Sequence, residues 1–538
     1  MRTAQRTNDN LTPPRAFVGG RILTMDSAVP QPQVVVVQGD RIVAVGARAL
    51  LAAYPQALVE DLQGRTLAPG FIDAHNHLSI AALHPVWADL AAVTDLDGVR
   101  QALRAQAARE PSVRWVRGTG WNEVTTGLLL DRHDLDALGI DRPVIVAHYT
   151  LHQCVVNSQG LEELGIGRTT PDPPGGVIAR EPDGTPSGLL VERAWSTAHA
   201  RSMAAYHDAD RWAELFAMRA RQLLQDGITC VHDAACSPAA EAVYRRMHQA
   251  GTLPISVLML PHAEAILVGP DAARFDGPVT GDGDERLRVG PVKVFADGGI
   301  APAMDVCIAG QRSAFGIAFE DVATHVVTAV QRGFRVAVHA IGNVGLANAL
   351  AAFQQAARVR RDDDHRFRVE HACLASAEQI RLMASLGTVG VVQPGFLEHV
   401  GQAVENTPWD EELWLPFASL AASGVRLAAS SDDPCAFHEP LRTASRGTTR
   451  RTASGNIFAP EQALPYEDWL RAYTIGAAFA GGQEHERGSL TPGKRADLVV
   501  LDGALDAEHP PQVAQTWVGG VLVYREPAGP AGARRSEN

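Results

Sequence analysis

The middle of the chain repeatedly passes from a helical pattern into a short, wholly apolar strand. Residues 324–332 read as a helix, and residues 335–339, Arg-Val-Ala-Val-His, then read as a strand. A strand that is apolar on both faces must be covered on both, as in a parallel sheet flanked by helices. Repetition of this unit predicts a parallel α/β architecture, and eight such units would make a (β/α)8 TIM-like barrel. Such a barrel carries its active site at the C-terminal ends of the strands. At 538 residues the chain exceeds the roughly 250–300 over which a single hydrophobic core grows, so the barrel is expected to carry additions.

Two additions are legible. Residues 16–23 and 34–45 are apolar, β-branched runs, and Gln38-Gly39-Asp40-Arg41 interrupts the second as a hairpin turn would. Residues 496–501 and 515–523, at the other end, read the same way. The two ends are predicted to pair into a small discontinuous β-sandwich domain, residues 1–68 with 488–538, beside a hydrolase barrel of 69–487. The Gly/Ala/Arg-rich tail 528–538 is expected to fray. The stretch at about 80–225 breaks the alternation with turn-rich pieces at 170–176 and 181–186. It is read as an insertion after the first barrel strand, placed to roof the active site and choose the substrate.

Histidines close the apolar strands. His75 and His77 stand two apart, so on a strand both rings face one side. Alone, such a pair fits two hydrogen-bonded surface histidines as well as a metal site. His339 and His371, however, each end a further apolar strand, where a barrel places catalytic groups. Four imidazoles at strand ends point to a first-row metal.

Lys293 lies in the apolar run 290–296. The chain has two lysines, Lys293 and Lys494, against 46 arginines. A lysine kept on a buried strand can act as a neutral amine, which arginine cannot. One reading is carboxylation by CO₂ to a metal-bridging carbamate; the other is an ammonium that snorkels or pairs with Asp297. Asp432 and Asp433 close another strand, and a carboxylate there can bind metal and take a proton from water. Neighbouring side chains on an extended chain point opposite ways, so one of the two faces the metal.

Taken together, Pro69-Gly70-Phe71-Ile72-Asp73-Ala74-His75-Asn76-His77, Lys293, His339, His371, Asp432 and the run 488–501 resemble the amidohydrolase superfamily. The insertion motifs, among them His152, Asn157-Ser158 and 184–190, are similar to the subgroup containing N-substituted formamide deformylases. The resemblance implies a site for one or two divalent metals, zinc first among them. His75, His77 and Asp432 would bind one and His339 and His371 the other, with carboxylated Lys293 bridging. It assigns Asp432, through Ser431-Asp432-Asp433-Pro434, as the proton-transferring acid. His152 is a candidate for holding the carbonyl oxygen or another polar group of the substrate, and Trp121, Asn122, Gln393 and Phe437 are candidates to line the substrate pocket. The implied reaction is hydrolysis of a non-peptide C–N bond, an N-substituted formamide or an N-acyl or cyclic amide. Deamination, lactone or carbamate cleavage on the same metals, and a non-catalytic scaffold, are the alternatives. In three places the chain departs from the pattern, all near the mouth: Asn343 where Asp is usual, His148 where Arg is more common, and no basic residue over 409–419.

Composition narrows the class. A net charge of −13 argues against nucleic acid as a partner, and no apolar run reaches the length of a membrane span. The polar start shows no secretory h-region. The six cysteines form no Cys-x-x-Cys pair and read as buried small hydrophobes. The expectation is a cytoplasmic enzyme acting on a small molecule, with a homodimer as the expected assembly.

Overall fold

The computed structural model describes residues 13–29, 31–263, 274–359 and 364–527; the tail expected to fray lies outside them. The main body is α/β. Its strands are β1 (Phe71–Asn76), β2 (Ile228–Cys236), β3 (Ser256–Pro261), β4 (Val292–Phe295), β5 (Val336–Ala340), β6 (Arg368–His371), β7 (Val389–Val392) and β8 (Arg426–Ala429). Strands β1, β2 and β3, with the short strand Leu287–Val289 beyond β3, form one parallel sheet, and β4 to β8 another in sequential order. The two sheets are separate hydrogen-bonded units rather than one continuous ring. They meet at two seams: His262 bridges Lys293 beyond β3, and past β8 the Asp432 and His77 amides bond His75 O and Asp433 O. Every residue of β1 to β7 is buried, the polar ones such as Asp73, Asp233 and Glu370 included, which is why these segments are mainly apolar.

Helices cover the outer faces, and their sequences explain their limits. The helix Ala209–Gln225 starts where the Asp208 side chain accepts from the amides of Asp210 and Arg211, satisfying donors that the first turn leaves open. Its Trp212, Phe216, Ala220 and Leu223 recur at helical spacing and are buried together.

The chain ends come together as a second β-rich unit. One sheet joins Arg41–Gly46, Val34–Gln38, Arg15–Val18 and Leu58–Asp61; the other joins Arg21–Ile22, Thr66–Pro69, Leu498–Asp502, Gln512–Val518 and Val521–Arg525. Phe17, Val35 and Val37 of the first share an apolar cluster with Leu67, Val500 and Trp517 of the second. The Phe17 and Trp517 rings meet edge to face at 5.3 Å.

Between β1 and β2 the chain builds a six-stranded sheet from strands within 88–192, then two helices that lead back to β2. This sheet has its own apolar cluster, which includes Trp121, Val146 and Val155. Among the described residues no helix is long and apolar enough to cross a membrane.

Candidate metal centre

The ends of β1, β4, β5, β6 and β8 converge on one cavity. His75, His77, Lys293, His339, His371 and Asp432 all line it, with Tyr149, Thr150, Leu151 and His152 from the insertion. His77 lies one residue past β1, yet its ring sits 5.3 Å from that of His75. Ligand atoms of His75, His371 and Asp432 lie within 4.8 Å of one another.

The imidazoles of His75, His77 and His371 are each aimed by a partner on the far nitrogen. His75 Nδ1 lies 2.5 Å from Glu370 Oε2, His77 Nδ1 donates to Ala234 O at 2.8 Å, and His371 Nδ1 donates to Gln393 Oε1 at 2.9 Å. Such bonds fix the tautomer and leave Nε2 as the ligating atom. His75 Nε2 stands 3.3 Å from Asp432 Oδ1 and 3.4 Å from Lys293 Nζ, and His77 Nε2 stands 3.1 Å from the same Asp432 oxygen. The His339 ring centroid is 4.6 Å from that of His371. Its Nε2 is turned toward Asp297, 3.7 Å away, and has no hydrogen-bond partner among the described residues.

Burial holds the rings of His75, His339 and His371 neutral, the form in which imidazole binds metal. It lowers the pKa of His75 and His339 well below the usual histidine value and that of His371 to about 4. Burial likewise pushes Lys293 down to about 8. Asp297 is not the partner of Lys293. Its carboxylate accepts from the amides of Ile341, Gly342 and Ala303, and burial raises it to about 8. Neutral imidazoles, a carboxylate and a buried amine in one cavity are a donor set that fits a divalent transition metal.

Backbone strain sits at the same place. His371 (φ 76°) and Asp432 (φ 63°) both occupy the left-handed region, which costs about 1–3 kcal/mol at a non-glycine residue. At His371 the turn breaks strand alternation. Arg368 and Glu370 share one side of β6 and pair with each other, and His371 nevertheless joins the site beside them. At Asp432 the loop is pinned by Asp73, which accepts from Ser431 N at 2.9 Å and Ser431 Oγ at 2.5 Å. Asp433 then points away and takes a two-oxygen contact from Arg219 at 2.6 and 2.7 Å.

The remaining expected residues are distributed differently. His152 lines the cavity, with Nδ1 2.7 Å from Glu192 Oε2. Gln393 stands behind His371 rather than at the cavity, and it also donates to Ser430 Oγ. Trp121 is buried in the insertion's own core and donates its indole N–H to Leu128 O. Asn122 Oδ1 accepts from Val124 N in a turn of the insertion. Phe437 stacks on His399, a cavity residue, beneath the Arg442 guanidinium. Asn343 Oδ1 accepts from Asp305 N and its amide donates to Asp305 O. His148 is buried 2.8 Å from Glu123.

Glu370 and Glu192 were not singled out from sequence. A buried acid on an apolar strand, as in Arg-Val-Glu-His, was the available signal for Glu370; none marked Glu192. Glu370→Gln is expected to weaken metal binding by about 10–100-fold, as loss of an outer partner of a ligating histidine does. Metal titration of the stripped protein measures it, and unchanged affinity would dismiss the role.

A family model described as amidohydrolase family matches residues 58–524. The N-substituted formamide deformylase of Arthrobacter pascens is 32% identical over 530 residues, covering 94% of this chain and 98% of that protein. The protein LONG AFTER FAR-RED 3 of Arabidopsis thaliana is 28% identical, covering 96% and 94%. The crystal structure of a metal-dependent hydrolase from Pyrococcus horikoshii superimposes with a TM-score of 0.72 at 23% identity, covering 92% of this chain and 99% of that one. That likeness implies a TIM-barrel-like α/β fold.

Proposed function

The chain belongs to the amidohydrolase family, and on that premise we propose that it hydrolyses the C–N bond of a small N-substituted amide, with an N-substituted formamide as the leading substrate. The observation that carries the reading is the convergence of His75, His77, Lys293, His339, His371 and Asp432 on one cavity. The name and near full-length match of the Arthrobacter relative support the substrate class. In this reading His75, His77 and Asp432 would hold one divalent ion, zinc first among the candidates, and His339 and His371 would hold a second, with carboxylated Lys293 as a shared ligand. When bound, such ions supply Lewis acidity, which acidifies water and polarises a carbonyl. Asp432 accepts a proton from the attacking water and returns it to the leaving nitrogen. Glu370 and Gln393 keep the imidazoles oriented, and His152 holds a polar group of the substrate. Leu151, Phe295, Ile341 and Phe396 exclude bulk water from the same cavity. The assembly we propose is a cytoplasmic homodimer.

The test is a panel of formamides, longer N-acyl compounds, hydantoins and carbamates offered to zinc-loaded protein. Hydrolysis of formamides ahead of the others supports the substrate assignment; turnover confined to carbamates or hydantoins would displace it. Chelation is expected to lower the rate by at least about two powers of ten, with recovery on adding metal. Full activity in protein shown metal-free by elemental analysis would rule out the metal centre.

A further inference from the structure

A second histidine–carboxylate pair borders the cavity, built from the insertion and the loop after β4. Glu192 is fully buried. Its Oε1 accepts from the amides of Ile300 at 3.0 Å and Ala301 at 3.1 Å, and its Oε2 lies 2.7 Å from His152 Nδ1. Gly299 N also approaches Nδ1, at 3.1 Å, but Glu192 makes the shorter contact; a carboxylate has lone pairs to offer and no proton, so with this partner a neutral ring carries its proton on Nδ1 and its lone pair on Nε2.

Two features of the backbone serve this arrangement. Leu151 (φ 60°) and Glu192 (φ 51°) are both left-handed non-glycine residues, one adjoining His152 and the other its partner. Strain of this kind persists where the surroundings over-determine it. Gly298 and Gly299 allow the loop to approach. A Cβ on Gly298 would lie 2.4 Å from Glu192 Oε1, and one on Gly299 would lie 2.3 Å from His152 Cδ2 and 2.4 Å from Nε2. Any side chain at position 299 would therefore collide with the face of the His152 ring. The ring itself is 5.4 Å from that of His339, beside the candidate metal ligands.

We propose that Glu192 fixes His152 as the Nδ1–H tautomer so that Nε2 accepts the N–H of the scissile amide, which makes the site selective for secondary over tertiary amides. This rests on the amide-hydrolase reading above. His152 is the group that touches substrate; Glu192 is a positioning residue that acts through it. A tertiary amide has no N–H, and binding it would cut Nε2 off from water with its lone pair unpaired. Sites built around one substrate hydrogen bond reject analogues that lack it by large factors.

The experiment uses full-length, metal-loaded protein with an N-alkyl formamide and its N-methyl counterpart. The unaltered protein is expected to favour the secondary compound by at least about 100-fold in kcat/KM. Glu192→Gln can turn its amide N–H toward Nδ1 and move the ring proton to Nε2. The preference should then fall below about 10-fold, through loss on the secondary compound alone, with metal content unchanged. His152→Ala should show the same loss, and adding Glu192→Gln to it should change little. Equal losses on both compounds in Glu192→Gln would assign Glu192 a merely structural part and overturn the proposal, as would an unaltered protein indifferent to N-methylation. A readout independent of turnover is the ¹⁵N spectrum of labelled histidine, with the His152 signals identified by their loss in His152→Ala. A proton on Nδ1 that moves to Nε2 in Glu192→Gln supports the tautomer. The same tautomer in both proteins overturns the proposal. A proton on Nδ1 with hydrolysis of neither formamide overturns the formamide reading and the selectivity, and leaves the Glu192–His152 tautomer standing.

Discussion

Asp432→Asn is expected to keep bound metal while kcat falls by about two to four powers of ten, the range for loss of a general base. The substitution preserves shape and one coordinating oxygen but removes the basic one. Burial alone would raise the Asp432 carboxyl; the close approach of His77 Nε2, at 3.1 Å, and of the adjoining imidazoles holds it below the usual carboxylate range instead. It is therefore ionised at neutral pH, as an acceptor of a proton must be. Asp433 is its built-in control. One residue away and also buried, it faces Arg219 rather than the cavity. Asp433→Asn breaks that pair and is expected to lower stability by up to about 3–5 kcal/mol, the cost of leaving a buried charge unpaired, with kcat within about tenfold. Metal content, thermal midpoint and kcat of the two variants decide the matter. An inactive Asp433→Asn beside a near-normal Asp432→Asn would exchange their roles.

The same pair of aspartates shows how far the sequence could be read. Alternation on an extended chain says that Asp432 and Asp433 diverge, but not which one faces the site. The choice came from a motif, while the structure makes it with a left-handed turn at Asp432 and an arginine from the helix Ala209–Gln225. His371 is a similar case. Its position after an apolar run was visible, but alternation alone would set it on the face opposite Glu370, and only the turn at φ 76° brings both to the centre. Residue type and period are local properties, so the strand-end histidines, Lys293 and the β-rich ends were all legible. Contacts across long separations were not. Glu370 reaches His75 across 295 positions, and Glu192 reaches His152 across 40. Trp121 and Gln393 show the converse. Each is a residue type suited to binding substrate, but one is spent on packing the insertion and the other on orienting His371.

Lys293→Ala is expected to lose metal and to lower activity by more than about 100-fold, beyond what removal of an outer-shell partner costs. Partial rescue by short carboxylic acids is expected, because they restore two oxygens to the vacated space. The argument begins with cost. The Lys293 side chain is buried, and its polar neighbour is an imidazole nitrogen 3.4 Å away rather than a carboxylate oxygen. An ammonium there faces the Phe295 ring at 4.8 Å, which offsets part of the desolvation penalty. Burial brings the amine down to about 8, so a sizeable fraction is neutral at physiological pH and free to add CO₂. A carbamate formed there would reverse the sign of the charge, turning an unfavourable neighbour of a divalent ion into a favourable one. Lys293→Arg separates this from simple cation placement. Guanidinium stays protonated and forms no carbamate, so that variant should lose metal as Lys293→Ala does and resist rescue. A Lys293→Arg protein with normal metal content and normal rate would show that position 293 needs only a positive charge, and the bridging role would have to be abandoned.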